Sequence, residues 1–456
     1  MKKLLSLLLV LSTLLVACSA ALAAGPVGTE FHDGLVWYLD RTSGLYGYLD
    51  TKGNVVIKPQ FTKPVDFCNG LVPYYNASTK RYGYMDTNGK TVIKAEYKEA
   101  QGFSKGAAVV MASNDKFAHY FLIGPDGKTA VKNLDKDNWF YFDHVWYGDY
   151  CIAATRYWNG KRFMTQGYAY ITANGTVITL DRKIAYAMQF SDDGIAVVGT
   201  YDLNKGTSYQ RFVNSDGIEY LYGSGGPLAT TFYYIDKNGK QIGNLTFTEP
   251  PKPFSEGFAP IQTYSVKGTP TWSYINTRGE TVITGNFSEV NPFSDGMALV
   301  CTGGKYGYID TTGTLVIPAT YSGGLSFQNG LAGVKKVIYW GVIDKEGNVV
   351  LPAEYSSVSV TGNLIVACKW GNTSYDIYNR QGQLLHENMS TSVCSETSAG
   401  TVYTVFQNGL YGYMTEDGKM IFEPQFQRAG AFSSDAAIAW KNSEWFIIDC
   451  NGNIVY

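Results

Sequence analysis

Residues 306–313 read Tyr-Gly-Tyr-Ile-Asp-Thr-Thr-Gly, and the same octapeptide returns along the whole chain. Close copies end at Gly53, Gly89, Gly347 and Gly418; looser ones end at Gly127, Gly175, Gly217, Gly239, Gly279, Gly382 and Gly452. All are variants of one pattern: aromatic, Gly or small, aromatic, aliphatic, Asp or Asn, two residues, Gly. Most successive glycines stand 34 to 42 residues apart, with exceptions of 48 and 22. A period in this range marks a repeat architecture, in which one supersecondary unit recurs and neighbours bury each other's faces.

One unit, Phe293 to Phe327, shows the physics. Phe293-Ser-Asp-Gly296 opens it and Met297-Ala-Leu-Val300 forms a first strand. A turn through Thr302 to Lys305 leads into Tyr306-Gly-Tyr-Ile-Asp310, and Thr311-Thr312-Gly313 turns into Thr314-Leu-Val-Ile317. Asp bonds forward to backbone amides while Gly accepts the positive φ of a tight hairpin. In Tyr-x-Tyr two rings share one face, and the Gly between them faces a crowded neighbour. Leu315-Val316-Ile317, without alternation, predicts a strand covered on both faces, and Pro318 predicts its end. The result is a three-stranded antiparallel meander, with an optional fourth strand in the crossing stretch Ala319 to Ser326.

Composition agrees. The 456 residues are 45% hydrophobic and 17% charged, with Tyr 35, Phe 23 and Gly 50, a profile of strands joined by tight turns. A formal charge of -2 argues against a polyanion-binding surface. No apolar stripe at helical spacing occurs outside the N-terminus.

That N-terminus is a targeting segment. Lys2 and Lys3 precede an apolar run from Leu4 to Val16, too short for a membrane span. Leu15-Val16-Ala17-Cys18 resembles a bacterial lipobox, which implies a leader of residues 1–17 and a lipidated Cys18. Ala21-Leu22-Ala23 fits ordinary signal cleavage of residues 1–23. Both routes predict export, anchored at the cell surface or released. The other six cysteines show no metal-ligand spacing; they read as small buried hydrophobes, although an exported chain could pair them.

The pattern Phe-x-x-Gly-Leu-Ala-x-Val, then aromatic-Gly-aromatic-Ile-Asp-x-x-Gly-x-Val-Val-Ile-Pro, resembles the bacterial WG-repeat (KWG-repeat) family. The stretches carrying it include 67–72, 103–110, 254–261, 293–300 and 327–334. The resemblance extends over about 31–456 and thins between Asp115 and Gly226, where the aromatic-Gly pair is lost. Tyr replaces the family's Trp in most copies, Trp340 being the exception. It implies a β-repeat domain and export, and no common activity.

Two all-β arrangements meet the stacking requirement, a propeller-like closed toroid and a β-solenoid of stacked hairpins. The chain begins on a first-strand motif (Phe31 to Trp37) and ends on a hairpin (Trp445 to Tyr456), with no polar or helical cap. This favours the toroid, whose terminal units would meet. Propellers usually have about 4 to 8 blades, so twelve copies leave one ring or two, divided near 217–239, both open.

Residues that could carry chemistry are few. Asp50, Asp86, Asp236, Asp310, Asp344 and Asp449 occupy one repeat position, and a residue repeated in every unit is a turn former rather than a catalyst. The four histidines, His32, His119, His144 and His386, are isolated, which with the scattered acids predicts no metal site. No phosphate loop, dinucleotide fingerprint or nucleophile elbow appears, so no cofactor or catalytic residue is assigned. Tyr82 with Tyr84, and Tyr411 with Tyr413, resemble sugar-stacking pairs, but as repeat positions they read as packing between units. Residues 137–163 break the pattern while gaining rings. There Trp139, Tyr141, Trp146 and Trp158 are candidate ligand-binding residues, Trp158 at a hairpin tip.

The sequence therefore predicts an exported, non-enzymatic binding or scaffolding protein of the bacterial envelope, recognising protein or cell-wall glycan through repeat loops. No nucleic-acid partner is expected, and a membrane only through the possible anchor. Two alternatives stay open: a glycan-processing hydrolase with paired acids roughly 5–9.5 Å apart, and a purely structural spacer.

Overall fold

The computed structural model describes residues 24–112, 120–131, 138–147, 149–158, 163–180, 184–200, 210–213, 219–223, 226–227, 230–264, 268–372 and 374–456. Regular structure there is all β, and no helix is long and apolar enough to cross a membrane among the described residues. The strands form many small antiparallel sheets, and in most of them neighbouring strands follow one another along the chain.

The unit read above is such a sheet, in the order Glu289–Val290, Met297–Thr302, Lys305–Asp310, Leu315–Tyr321. Its fourth strand is the two-residue tail of the preceding crossing stretch, which pairs Glu289 with Cys301 and Val290 with Val300. This crossing stretch thus hands residues near its end to the next sheet. Gly323–Gly324 does the same for Leu331–Lys336.

Two local expectations need correction. The third strand is buried on one face only: Ile317 is in the core while Leu315 and Val316 are exposed, because no further strand or sheet covers its outer side. Pro318 does not end the strand, which runs Leu315–Tyr321. Pairing jumps from Tyr308↔Ile317 to Tyr306↔Tyr321, so the proline sits in a bulge of the kind where a missing donor is tolerated. The bulged backbone presses on the octapeptide glycine. A Cβ at Gly307 would stand 2.5 Å from the Ile317 carbonyl oxygen, and Gly47, Gly83, Gly341 and Gly412 face the same clash. The crowded neighbour expected at this glycine is this backbone.

The second octapeptide tyrosine joins consecutive units. Tyr48, Tyr84, Tyr170, Tyr234, Tyr274, Tyr308 and Tyr413 each donate a hydroxyl hydrogen bond of 2.5 to 2.8 Å to a carbonyl 17 or 18 residues ahead. That carbonyl lies just before the next Phe-x-x-Gly, and its Phe meets the tyrosine ring: Tyr308–Phe327 centroids are 4.8 Å apart, Tyr84–Phe103 4.9 Å and Tyr234–Phe254 5.0 Å. Tyr308, Met297 and Ile317 share one cluster with Phe327, Val334 and Ile343 of the following unit. The core therefore lies in the seams. Tyr84 and Tyr413, the inner rings of the two sugar-like pairs, are fully buried.

The chain forms two compact units. One takes in residues up to Lys116, Pro125–Lys128 and Thr391–Tyr456; the other Phe117–Gly124 and Thr129–Ser390. In the first, repeats from the two chain ends share a core. Phe31, Val36 and Leu49 pack with Ala436, Ile438 and Ile447, and Trp445 stacks on Tyr456 at the margin, 5.0 Å between ring centroids. The terminal repeats thereby cover one another's apolar faces.

Candidate functional site

The Phe-x-x-Gly turns set the geometry from which the site departs. In a regular copy the two middle residues both take positive φ, as Asp295 (φ 60) and Gly296 (φ 77) do, and Ser294 and Met297 exchange backbone hydrogen bonds across a two-residue loop. The turns are also bonded in series. Gly70 donates to Asp33 and Gly106 to Asn69; Asp295 and Gly296 donate to Glu256, and Gly330 donates to Asp295. The serine beside Phe closes the same seam: Ser255 donates to the Phe293 carbonyl at 2.8 Å, and Ser294 to the Phe327 carbonyl at 2.7 Å.

At Phe190 the motif gains a residue and reads Phe-Ser-Asp-Asp-Gly. Ser191 N–H now donates to Ile195 O and Gly194 N–H to Ser191 O, and only Gly194 among the loop residues takes positive φ. This is a three-residue loop, the next commonest hairpin connection after the two-residue turn. Asp193 still reaches the following turn, accepting from Gly257 N–H at 2.8 Å. The serine does not: Ser191 Oγ is buried without a hydrogen-bond partner. The seam lacks the bond that Ser255 and Ser294 make in theirs.

Beside this seam is a cleft of about 350 Å³ lined by Met188, Gln189, Phe190, Ser191, Asp192, Pro253 and Phe254. Both amide atoms of Gln189 are buried and unpartnered, as is Oδ2 of Asp193 behind the loop. A buried polar group without a partner costs about 1–3 kcal/mol, and its presence calls for an explanation. Here a donor–acceptor amide and a hydroxyl lie beside two phenyl rings. Such a set offers hydrogen bonds next to an apolar surface.

The structure also ties this cleft to the aromatic-rich segment. Tyr150 and Tyr170 each place a ring centroid 4.6 Å from Phe190. The segment forms long strands, Asn138–Tyr147, Tyr150–Trp158 and Phe163–Thr172. Trp139 pairs with Arg156, Tyr141 with Ala154 and Trp146 with Cys151, while Trp158 pairs with Phe163 as the last rung before the hairpin connection. The side chains of these four candidates lie outside the described residues, and so does Cys18.

The family model described as WG containing repeat matches residues 46–74, 82–117, 272–306, 306–336, 340–372 and 411–445. The chain is a WG-repeat protein. No curated protein matches it in sequence. Among solved structures, BamB from Moraxella catarrhalis is similar at 13% identity and TM-score 0.29, covering 70% of this chain and 94% of that one. Citrobacter koseri AztD is similar at 11% identity and TM-score 0.28, covering 79% and 93%. At these TM-scores the likenesses assign neither fold nor function.

In this WG-repeat protein the repeated acids are turn formers. Asp310 Oδ1 accepts from the amides of Thr312 (2.9 Å) and Thr314 (3.0 Å), and Asp50, Asp86, Asp236, Asp344 and Asp449 repeat the arrangement. The Thr312 hydroxyl, then these amides, hold the Asp310 carboxyl below its ordinary range. Among the described residues no group of His, Cys, Asp or Glu could hold a metal. None of the described cysteines is in a disulfide; Cys151, Cys301, Cys368 and Cys450 are buried, and Cys394 is exposed. In the sequence Asp192 and Asp193 are simply two of the scattered acids. The signal that would have found the site was the extra residue between Phe190 and Gly194.

Proposed function

We propose that this WG-repeat protein is an exported binding protein of the bacterial envelope that recognises a saccharide of the cell wall, without turnover, in the cleft at Gln189 and Ser191. The repeat scaffold accounts for the turns and seams; the cleft is where the chain departs from its own rule. The observation that carries the reading is the set of buried, unpartnered polar atoms of Gln189 and Ser191 at a Phe-x-x-Gly seam widened by an inserted residue. An amide can engage neighbouring hydroxyls, a hydroxyl adds a donor, and phenyl rings suit the apolar face of a pyranose. The basic and apolar leader with its two cleavage signals supports export.

Calorimetric titration with a soluble peptidoglycan digest tests this. The wild type should bind without releasing new reducing ends, and Gln189→Ala and Ser191→Ala should each weaken binding about tenfold to a hundredfold, the worth of about 1–3 kcal/mol. Their thermal midpoints should hold or rise, since each removes an unpartnered buried group. No binding by the wild type, or full binding by both variants, would sink the proposal. Loss of binding only in Trp139→Ala/Trp146→Ala/Trp158→Ala would move the site to the aromatic segment.

A further inference from the structure

Two-residue hairpin tips in this chain use residues that tolerate positive φ: Gly303-Gly304, Asn408-Gly409 and Asn442-Ser443. The tip between Leu331–Lys336 and Tyr339–Asp344 is instead Val337-Ile338. Val337 takes φ 58, a conformation that is an outlier for a β-branched residue. It is also 80% exposed, and Ile338 is exposed beside it. A strained backbone that only displays apolar side chains to water has no use in the fold, because Asn-Gly closes the sibling hairpin at no such cost.

The rungs behind the tip are ordered. Lys336 pairs with Tyr339 on the first and Lys335 with Trp340 on the second. Trp370, 59% exposed, comes from the Lys369 to Tyr375 turn and sets its ring 5.7 Å from that of Tyr339. The Lys335 and Lys336 ammonium groups lie 5.7 Å and 5.9 Å from the Trp340 and Tyr321 rings. Lys369 is paired with Asp376 at 3.1 Å. From the tip inward come the branched aliphatics, then a rung of Lys336 with Tyr339, then one of Lys335 with Trp340.

We propose that this hairpin docks on an anionic phospholipid bilayer. Val337 and Ile338 would enter the acyl boundary, Tyr339 and Trp370 would lie at headgroup level, and Lys335 and Lys336 would meet lipid phosphates. A single convex tip is too small for a stable protein interface, which buries about 1,200–2,000 Å², whereas a fluid bilayer closes around a convex probe. The charge is complementary, and each lysine near an anionic surface is worth about fivefold in partitioning.

Vesicle flotation of the full chain carrying Cys18→Ala, so that no acyl anchor contributes, tests the proposal. The parent should float with vesicles containing phosphatidylglycerol, and less with pure phosphatidylcholine or in high salt. Val337→Asn/Ile338→Gly, which installs the sibling turn and should fold at least as well, should reduce flotation at least tenfold. Bromolipid quenching of the parent should exceed that of a Trp370→Phe variant, locating the contact. Equal flotation of parent and tip variant, no flotation of the parent, or quenching indifferent to Trp370 would each overturn it.

Discussion

Each octapeptide position has one job, and its removal has one cost. Tyr308 Oη serves the Leu325 carbonyl, so Tyr308→Phe should cost about 1–2 kcal/mol by leaving that acceptor unpaired. Tyr308→Ala should cost about 3–5 kcal/mol through the cavity in the seam. Urea unfolding midpoints measure both, and equal costs would mean that the hydroxyl is idle. Gly307→Ala should destabilise by about 1–3 kcal/mol, since its Cβ meets fixed backbone at 2.5 Å; a neutral result would mean that the bulge relaxes freely. The roles of Asp and Gly were legible because turn chemistry is local. The target of the Tyr hydroxyl was not, because it lies 17 residues on and depends on how units dock.

At the scale of the element, the meander was legible and its margins were not. Alternation and turn spacing locate Met297–Thr302 and Lys305–Asp310, but Leu315-Val316-Ile317 misled because burial of a strand's outer face is decided by what is beside it, not by its own apolarity. Pro318 misled for a related reason: a bulge accommodates a residue that a regular ladder would exclude. The tyrosines give the seams a shared pH response. Burial pushes the hydroxyls of Tyr48, Tyr84, Tyr234, Tyr274, Tyr308 and Tyr413 far above the ordinary 10.0, and that of Tyr186 to about 12. The native state keeps protons that the unfolded chain releases near 10.0, so this stability is full below pH 10 and falls as pH rises toward the folded values, by about 1.4 kcal/mol per unit for each tyrosine. The circular dichroism of the strands should therefore be lost in one cooperative step above pH 10, accompanied by a step in tyrosinate absorbance as the buried rings ionise. Strands that stay intact through complete ionisation of the tyrosines would contradict this.

At the scale of the whole molecule, repetition separates scaffold from function. Twelve copies of one turn explain why repeated acids and rings are structural. The same repetition exposes two departures, the seam at Phe190 and the tip at Val337. The aromatic-rich stretch was visible in the sequence because composition is visible; the one-residue insertion was not, because its effect is a lost bond from Ser191 to the next unit. Amide hydrogen exchange with and without a saturating soluble peptidoglycan digest tests the central claim most directly. Added protection confined to Met188–Ile195 and Lys252–Ser255, with the Asp310 and Asp344 turns unchanged, is the predicted result. Protection spread over the repeated turns, or none at Met188–Ile195, would contradict it.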